Sequence, residues 1–103
     1  MMYIVMNRFR ITEGREKEFE EIWKSRDTYL KEVNGFKSFQ FLRGDDPGEY
    51  ISHTIWESKE AFEGWVGSEP FRKAHARAHQ TPQDIFAGPA KLSQYEVILN
   101  QEK

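Results

Sequence analysis

Residues 2 to 11 constrain this chain more than any other stretch, because they alternate like a strand yet are apolar on both sides. Tyr3, Val5, Phe9 and Ile11 fall on one face, Ile4 and Met6 on the other. A strand of this kind needs cover above and below. A chain of 103 residues has room for one helical layer against one sheet and no second core. The second face must therefore be covered by something else or stand in water.

The rest of the chain fills in the single layer. Phe19, Ile22, Trp23, Arg26, Leu30 and Val33 recur at helical spacing among Glu and Lys, predicting an amphipathic helix from Arg15 to Glu32 that Asn34-Gly35 ends. Phe36 to Arg43 reads as a second strand, with Phe36 and Leu42 on one face and Phe39 and Phe41 on the other. The turn cluster Gly44 to Gly48 sends it back as Tyr50 to Trp56. Ser58 suits an N-cap for a helix carrying Ala61, Phe62, Trp65 and Val66; Gly67-Ser68 interrupts it, and Pro70 opens a further piece reaching His79. Gln80 to Ala90 has a Pro and Gly spacing that forbids a regular element but contains Ile85 and Phe86, which predicts a packed loop. Lys91 to Asn100 closes the chain as a strand, with Tyr95, Val97 and Leu99 alternating against Leu92 and Ile98.

The order β-α-β-β-α-β predicts an α+β, ferredoxin-like antiparallel sheet with its helices on one face, as a single domain over residues 1–103. The open face would expose a row of Phe, Ile and Met side chains, and a second copy packed sheet to sheet removes that exposure, so a homodimer is expected.

Charge and composition exclude several functions. With 15 Lys and Arg against 17 Asp and Glu there is no basic excess for nucleic acid or an anionic membrane. The N-terminal apolar stretch is short and has no basic region ahead of it, which predicts a cytoplasmic protein. Without cysteine, thiol nucleophiles, disulfides and thiolate-held metal clusters are ruled out.

Three residues sit oddly against their surroundings. Asn7 breaks the stripe of Tyr3, Val5 and Phe9; His75 accompanies Phe71, Ala74 and Ala78 on a helical face, which points its imidazole toward the core; Trp65 looks toward the same region. Each alone has an ordinary structural explanation, but two polar interruptions on faces that meet suggest a small-molecule cavity with aromatic walls. The small Ala74, Ala76 and Ala78 leave room for a flat ligand, and a neutral imidazole is a suitable axial ligand for heme iron. His79, one turn beyond His75, is a rival ligand, and the i, i+4 pair of His75 and His79 offers a weaker metal-binding pattern to which His53 would add a third ligand. Arg26, on the apolar stripe of the first helix, either reaches solvent or meets an acidic group of a ligand.

These residues sit within a wider pattern: Asn7-Arg8-Phe9, Trp23-x-x-Arg26-Asp27-Thr28-x-Leu30, Asn34-Gly35-Phe36, Thr54 to Ser58, Ala61-Phe62, Trp65, and Ser68 to His75. The pattern resembles the IsdG-type heme-degrading monooxygenases of the antibiotic-biosynthesis monooxygenase superfamily, and within them the HmuQ-like branch. The resemblance implies a dimeric α+β barrel and a heme oxygenase activity. In it heme is both cofactor and substrate, O2 and an external electron donor (a reductase or a small reductant) are co-substrates, and iron and a linear tetrapyrrole are released. It implies that His75 is the iron ligand, that Asn7 hydrogen-bonds the oxygen species on the far side, and that Trp65 distorts the ring. Arg26, Phe71, Ile85 and Phe86 would line the pocket. The same framework serves cofactorless quinol-type monooxygenases, and a non-catalytic heme-binding or storage protein would share the iron ligand.

Overall fold

The computed structural model describes residues 2–76 and 81–103. Strands β1 (Tyr3–Arg10), β2 (Phe36–Arg43), β3 (Glu49–Trp56) and β4 (Lys91–Glu96) form one antiparallel sheet in the order β2-β3-β1-β4. Helices α1 (Glu16–Ser25), α2 (Lys59–Val66) and α3 (Glu69–Ala76) lie in the connections. This is the ferredoxin-like α+β arrangement that the sequence predicts.

Three local expectations are corrected. In β2 a bulge between Phe36 and Ser38 inserts one residue, so Phe36 joins Phe39 and Phe41 on the face of Trp56, Thr54 and Ser52, and Leu42 goes to the other. The first helix stops at Ser25 rather than Glu32. Beyond it the Asp27 carboxylate accepts from the Tyr29 amide at 2.9 Å, and the Thr28 hydroxyl from the Leu30 amide at 3.4 Å. These local bonds compete with the helical ladder and hold Tyr29 left-handed at φ 58° before a one-turn 3-10 helix, Leu30–Glu32. The last strand ends at Glu96: beyond the Val97 amide bond to the Met2 carbonyl, Ile98 and Leu99 stand exposed. The helical piece expected to reach His79 is described to Ala76, so His79 lies outside the described residues.

The second half follows its sequence signals closely. The Ser58 hydroxyl caps α2 by accepting from the Ala61 amide at 3.1 Å. Ser68 then links two helices, donating its hydroxyl to the Trp65 carbonyl at 2.6 Å while accepting from the Phe71 amide at 3.3 Å. Gly35 sits at φ 85°, and a Cβ there would overlap the Ala61 methyl, so the absent side chain is what lets α2 approach the loop before β2.

Buried side chains on the helix-facing side of the sheet form two clusters rather than one. Tyr3, Val5, Leu30, Trp56, Trp65 and Ala74 make the first; Phe9, Ile11, Phe19, Tyr50 and Ile85 make the second. The polar pair Asn7 and Ser52, opposite one another on β1 and β3, falls on the strand positions between them. Phe19 anchors α1 to the second cluster, edge-on to Phe9 and Tyr50 at 5.4 Å each. Next to it Glu20 accepts two bonds from Arg43, at 2.9 and 2.8 Å, and one from the Tyr50 hydroxyl, which hold its carboxyl down at about 2. The opposite sheet face, with Ile4, Met6, Ile51, His53 and Ile55 half-buried, takes no part in either cluster.

Candidate functional site

Above the Asn7 and Ser52 positions the helical layer leaves a cavity of about 460 Å³, within the range of small-molecule sites. Its floor is the sheet and its remaining walls come from the two clusters and the segment after α1. Arg26, in extended backbone just past the end of α1, and Thr28 both belong to this wall.

On the floor, Asn7 stands opposite Ser52 on one side and Leu92 on the other, with Phe41 beyond Ser52. The Asn7 carboxamide makes no hydrogen bond to another described residue. Thr54, the neighbouring hydroxyl on β3, is engaged: it accepts from the Trp56 indole at 2.9 Å and lies 3.4 Å from the Val5 carbonyl.

In the roof, Trp65 is buried with its ring 6.2 Å from Trp56 and edge-on to Phe71 at 5.3 Å. His75 stacks on Phe71 at 4.0 Å between centroids, and its Nδ1 lies 2.9 Å from the Phe71 carbonyl oxygen. A carbonyl only accepts, so Nδ1 carries the proton and Nε2 keeps the lone pair a metal would need. The expectation that His75 points into the core is corrected: Ala74 is the buried position of α3, and His75, one residue on, is exposed at the cavity rim.

Arg26 also lines the cavity. Its guanidinium is 4.5 Å over the Trp23 ring, and no carboxylate lies within ion-pair reach among the described residues. Burial pushes its pKa below the ordinary value, so the site holds a cation with reduced solvation and an aromatic neighbour in place of a counter-ion.

Asn7, Arg26, Trp65, Phe71, His75 and Phe86 thus border one space. Ile85 does not. It is fully buried in the second cluster, because the loop turns inward at a 3-10 turn, Gln83–Ile85, and Phe86 is the residue left facing the cavity. His53 is on the opposite sheet face, as the register partner of Met6, which removes it as a companion ligand for His75. Among the described residues no cluster of three His, Asp or Glu could hold a metal ion. Sequence alone gave no reason to place Ser52 or Trp23 at this cavity: the first depends on strand register, the second on where α1 ends.

Residues 2–77 match the family described as antibiotic biosynthesis monooxygenase. The chain belongs to that family. Among its relatives is a staphylobilin-producing heme oxygenase 1 of Staphylococcus aureus strain Newman, 30% identical over 87 residues, covering 82% of this chain and 80% of the relative. The corresponding heme oxygenase of Staphylococcus saprophyticus is 28% identical over 86 residues, covering 81% and 82%. Among solved structures, the heme-degrader MhuD from Mycobacterium tuberculosis, with two hemes bound in its active site, is 27% identical, with a TM-score of 0.74 and coverage of 97% and 99%. These relatives bear out the resemblance to the heme-degrading side of the superfamily. The cofactor-independent oxygenase SnoaB from Streptomyces nogalater is 19% identical, with a TM-score of 0.72 over 99% and 98% of the two chains, and shares the fold. The fold therefore serves chemistries with and without heme, and the residues of the cavity must separate them.

Proposed function

We propose that this chain is a heme-degrading monooxygenase that opens the porphyrin ring with O2 and an external reductant, releasing iron and a linear tetrapyrrole. The observation that supports this most is His75: a rim imidazole whose Nδ1 is committed to the Phe71 carbonyl, leaving Nε2 free to bind iron over an aromatic cavity. The relatives named as heme oxygenases add to it. The chemistry of the lining fits heme as well, being apolar and aromatic with one unpaired cation, Arg26, suited to ring carboxylates.

Bound heme supplies the iron that activates dioxygen and the ring carbon that is oxidised. The chain's own residues do the rest. His75 holds the ring from the helical side. Asn7, on the sheet floor, offers an amide donor where negative charge develops, a role worth about 3 kcal/mol for single preorganised donors elsewhere. Trp65, braced by Trp56 and Phe71, would be the rigid bulky side chain set against the bound ring. Arg26 fixes the carboxylate edge, while Phe71 and Phe86 exclude water.

The functional unit in this reading is one domain over residues 1–103, acting in the cytoplasm as a homodimer whose copies cover each other's Ile4, Met6, Ile51 and Ile55. A reductase or small reductant supplies electrons, and neither nucleic acid nor membrane takes part. No helix among the described residues is long and apolar enough to cross a membrane.

The test is hemin titration followed by aerobic turnover with ascorbate and catalase. A Soret band that forms and then decays with iron release is the expected result. A stable Soret band would indicate a storage protein, and failure to bind hemin a cofactorless oxygenase.

A further inference from the structure

The polar pair on the cavity floor has a member with no assigned role. Ser52 faces Asn7 directly across β1 and β3, and both line the cavity. Around them the same sheet face is otherwise apolar or engaged: Leu92 flanks Asn7, Phe41 flanks Ser52, and Val5 and Phe9 precede and follow Asn7. Directly opposed residues of an antiparallel pair have Cβ atoms about 4.5–5.5 Å apart, so a hydroxyl and a carboxamide here reach toward one small volume. Thr54 is not a third member, because its hydroxyl is taken by the Trp56 indole and faces the Val5 carbonyl. The Ser52 hydroxyl, like the Asn7 amide, has no hydrogen bond to another described residue. Neither group is sealed from solvent, so both present their donors to the cavity and to whatever small acceptor enters it.

We infer that Ser52 and Asn7 form a two-donor subsite for a small diatomic or triatomic acceptor, the dioxygen co-substrate in turnover. The inference rests on the proposed heme reading. His75 is in the helical layer and the pair on the sheet, so a ring held by His75 would leave the two donors to the opposite wall of the cavity. Ser52 is then a binding residue for the co-substrate, distinct from the groups that hold the ring.

Azide, an anionic triatomic ligand of ferric heme, tests this without turnover. Hemin is first titrated to saturation into the wild-type protein and into Ser52→Ala, Ser52→Thr and Asn7→Ala, so that each is compared as its own hemin complex. Azide is then titrated into each hemin complex, following the Soret shift. Loss of either donor should weaken azide about tenfold, the size of one hydrogen bond to a charged acceptor. Ser52→Thr, which keeps the hydroxyl, should stay within about twofold of wild type on the same scale. Wild-type azide affinity in Ser52→Ala would overturn the subsite while leaving the heme reading intact. Failure of the wild type itself to take up hemin would overturn both. Should Ser52→Ala not fold, Ser52→Cys, with a thiol as a far weaker donor, decides by the same comparison.

Discussion

His75 lies flat against Phe71, four residues earlier on α3, with 4.0 Å between ring centroids and its Nδ1 2.9 Å from that residue's carbonyl oxygen. One residue thus supplies both the platform that fixes the imidazole plane and the acceptor that fixes its tautomer. Loss of an outer-sphere partner alone costs about 10–100-fold in metal affinity, and loss of the ligand itself more. His75→Ala should therefore weaken hemin binding by more than about 100-fold, and Phe71→Leu, which keeps the carbonyl but not the platform, by much less. His79→Ala should leave the hemin titration unchanged.

Arg26 is half-buried over Trp23 with no carboxylate beside it among the described residues. Removing a desolvated charge that lacks a counter-ion should not destabilise the fold, so Arg26→Gln should melt within a few degrees of wild type. Its affinity for hemin should fall about tenfold, the size of a charge-assisted hydrogen bond. Wild type should prefer hemin over its dimethyl ester and Arg26→Gln should not, which competition titrations can measure.

Gly14 and Gly35 separate backbone strain from crowding. Both have positive φ, 90° and 85°, but a Cβ on Gly14 meets nothing within 4 Å whereas one on Gly35 overlaps Ala61. Gly14→Ala should cost about 1 kcal/mol from the left-handed backbone alone. Gly35→Ala adds overpacking and should cost about 3 kcal/mol in total, visible as a melting temperature lower by more than about 10 °C.

Glu20 makes the fold acid-sensitive. Its carboxyl is held at about 2 in the folded chain, against an ordinary 4.5, first by the Arg43 bonds and then by the Tyr50 hydroxyl. A depressed folded pKa means that the unfolded chain binds the extra proton, so this stabilisation is complete above pH 4.5 and is lost as pH falls toward 2. Glu20→Gln should unfold more easily at neutral pH by about 1 kcal/mol, since Arg43 is largely exposed. Its stability should also change less between pH 5 and 3 in urea titrations.

The uncovered face of the sheet predicts the assembly. Ile51→Lys places a charge among Ile4, Met6 and Ile55, and should convert a dimer into a monomer in sedimentation while leaving the hemin cavity, on the other side, able to bind. A wild-type monomer at micromolar concentration would contradict the sheet-to-sheet pairing.

The sequence carried the element order well, because each strand and cap is written in local chemistry: Ser58 as N-cap, Gly67-Ser68 as the break, Ile85 inside a loop too rich in Pro and Gly to be regular. It was less informative where one residue shifts a phase. The inserted residue near Phe36 and the side-chain bonds of Asp27 and Thr28 leave no trace in hydrophobic period, so period alone places neither the sides of β2 nor the end of α1. The cavity residues visible from sequence were those that interrupt an apolar stripe, Asn7 and Arg26, or accompany one, Trp65, Phe71 and His75. Ser52 interrupts nothing, sitting among Tyr50, Thr54 and Trp56 with their mixed polarity, and only register brings it to Asn7.

The split of the core into two clusters has a thermodynamic reach beyond the site. Each cluster borders the cavity, so a ligand there touches both and adds to the Trp23–Phe39 stacking that already joins them. A ligand seated there adds its binding free energy to the cohesion of the whole, by about 2.7 kcal/mol at a hundred times its dissociation constant. Supply of that ligand would then govern how long a molecule survives proteolysis, so that abundance tracks substrate through folding equilibrium as well as through any control of synthesis.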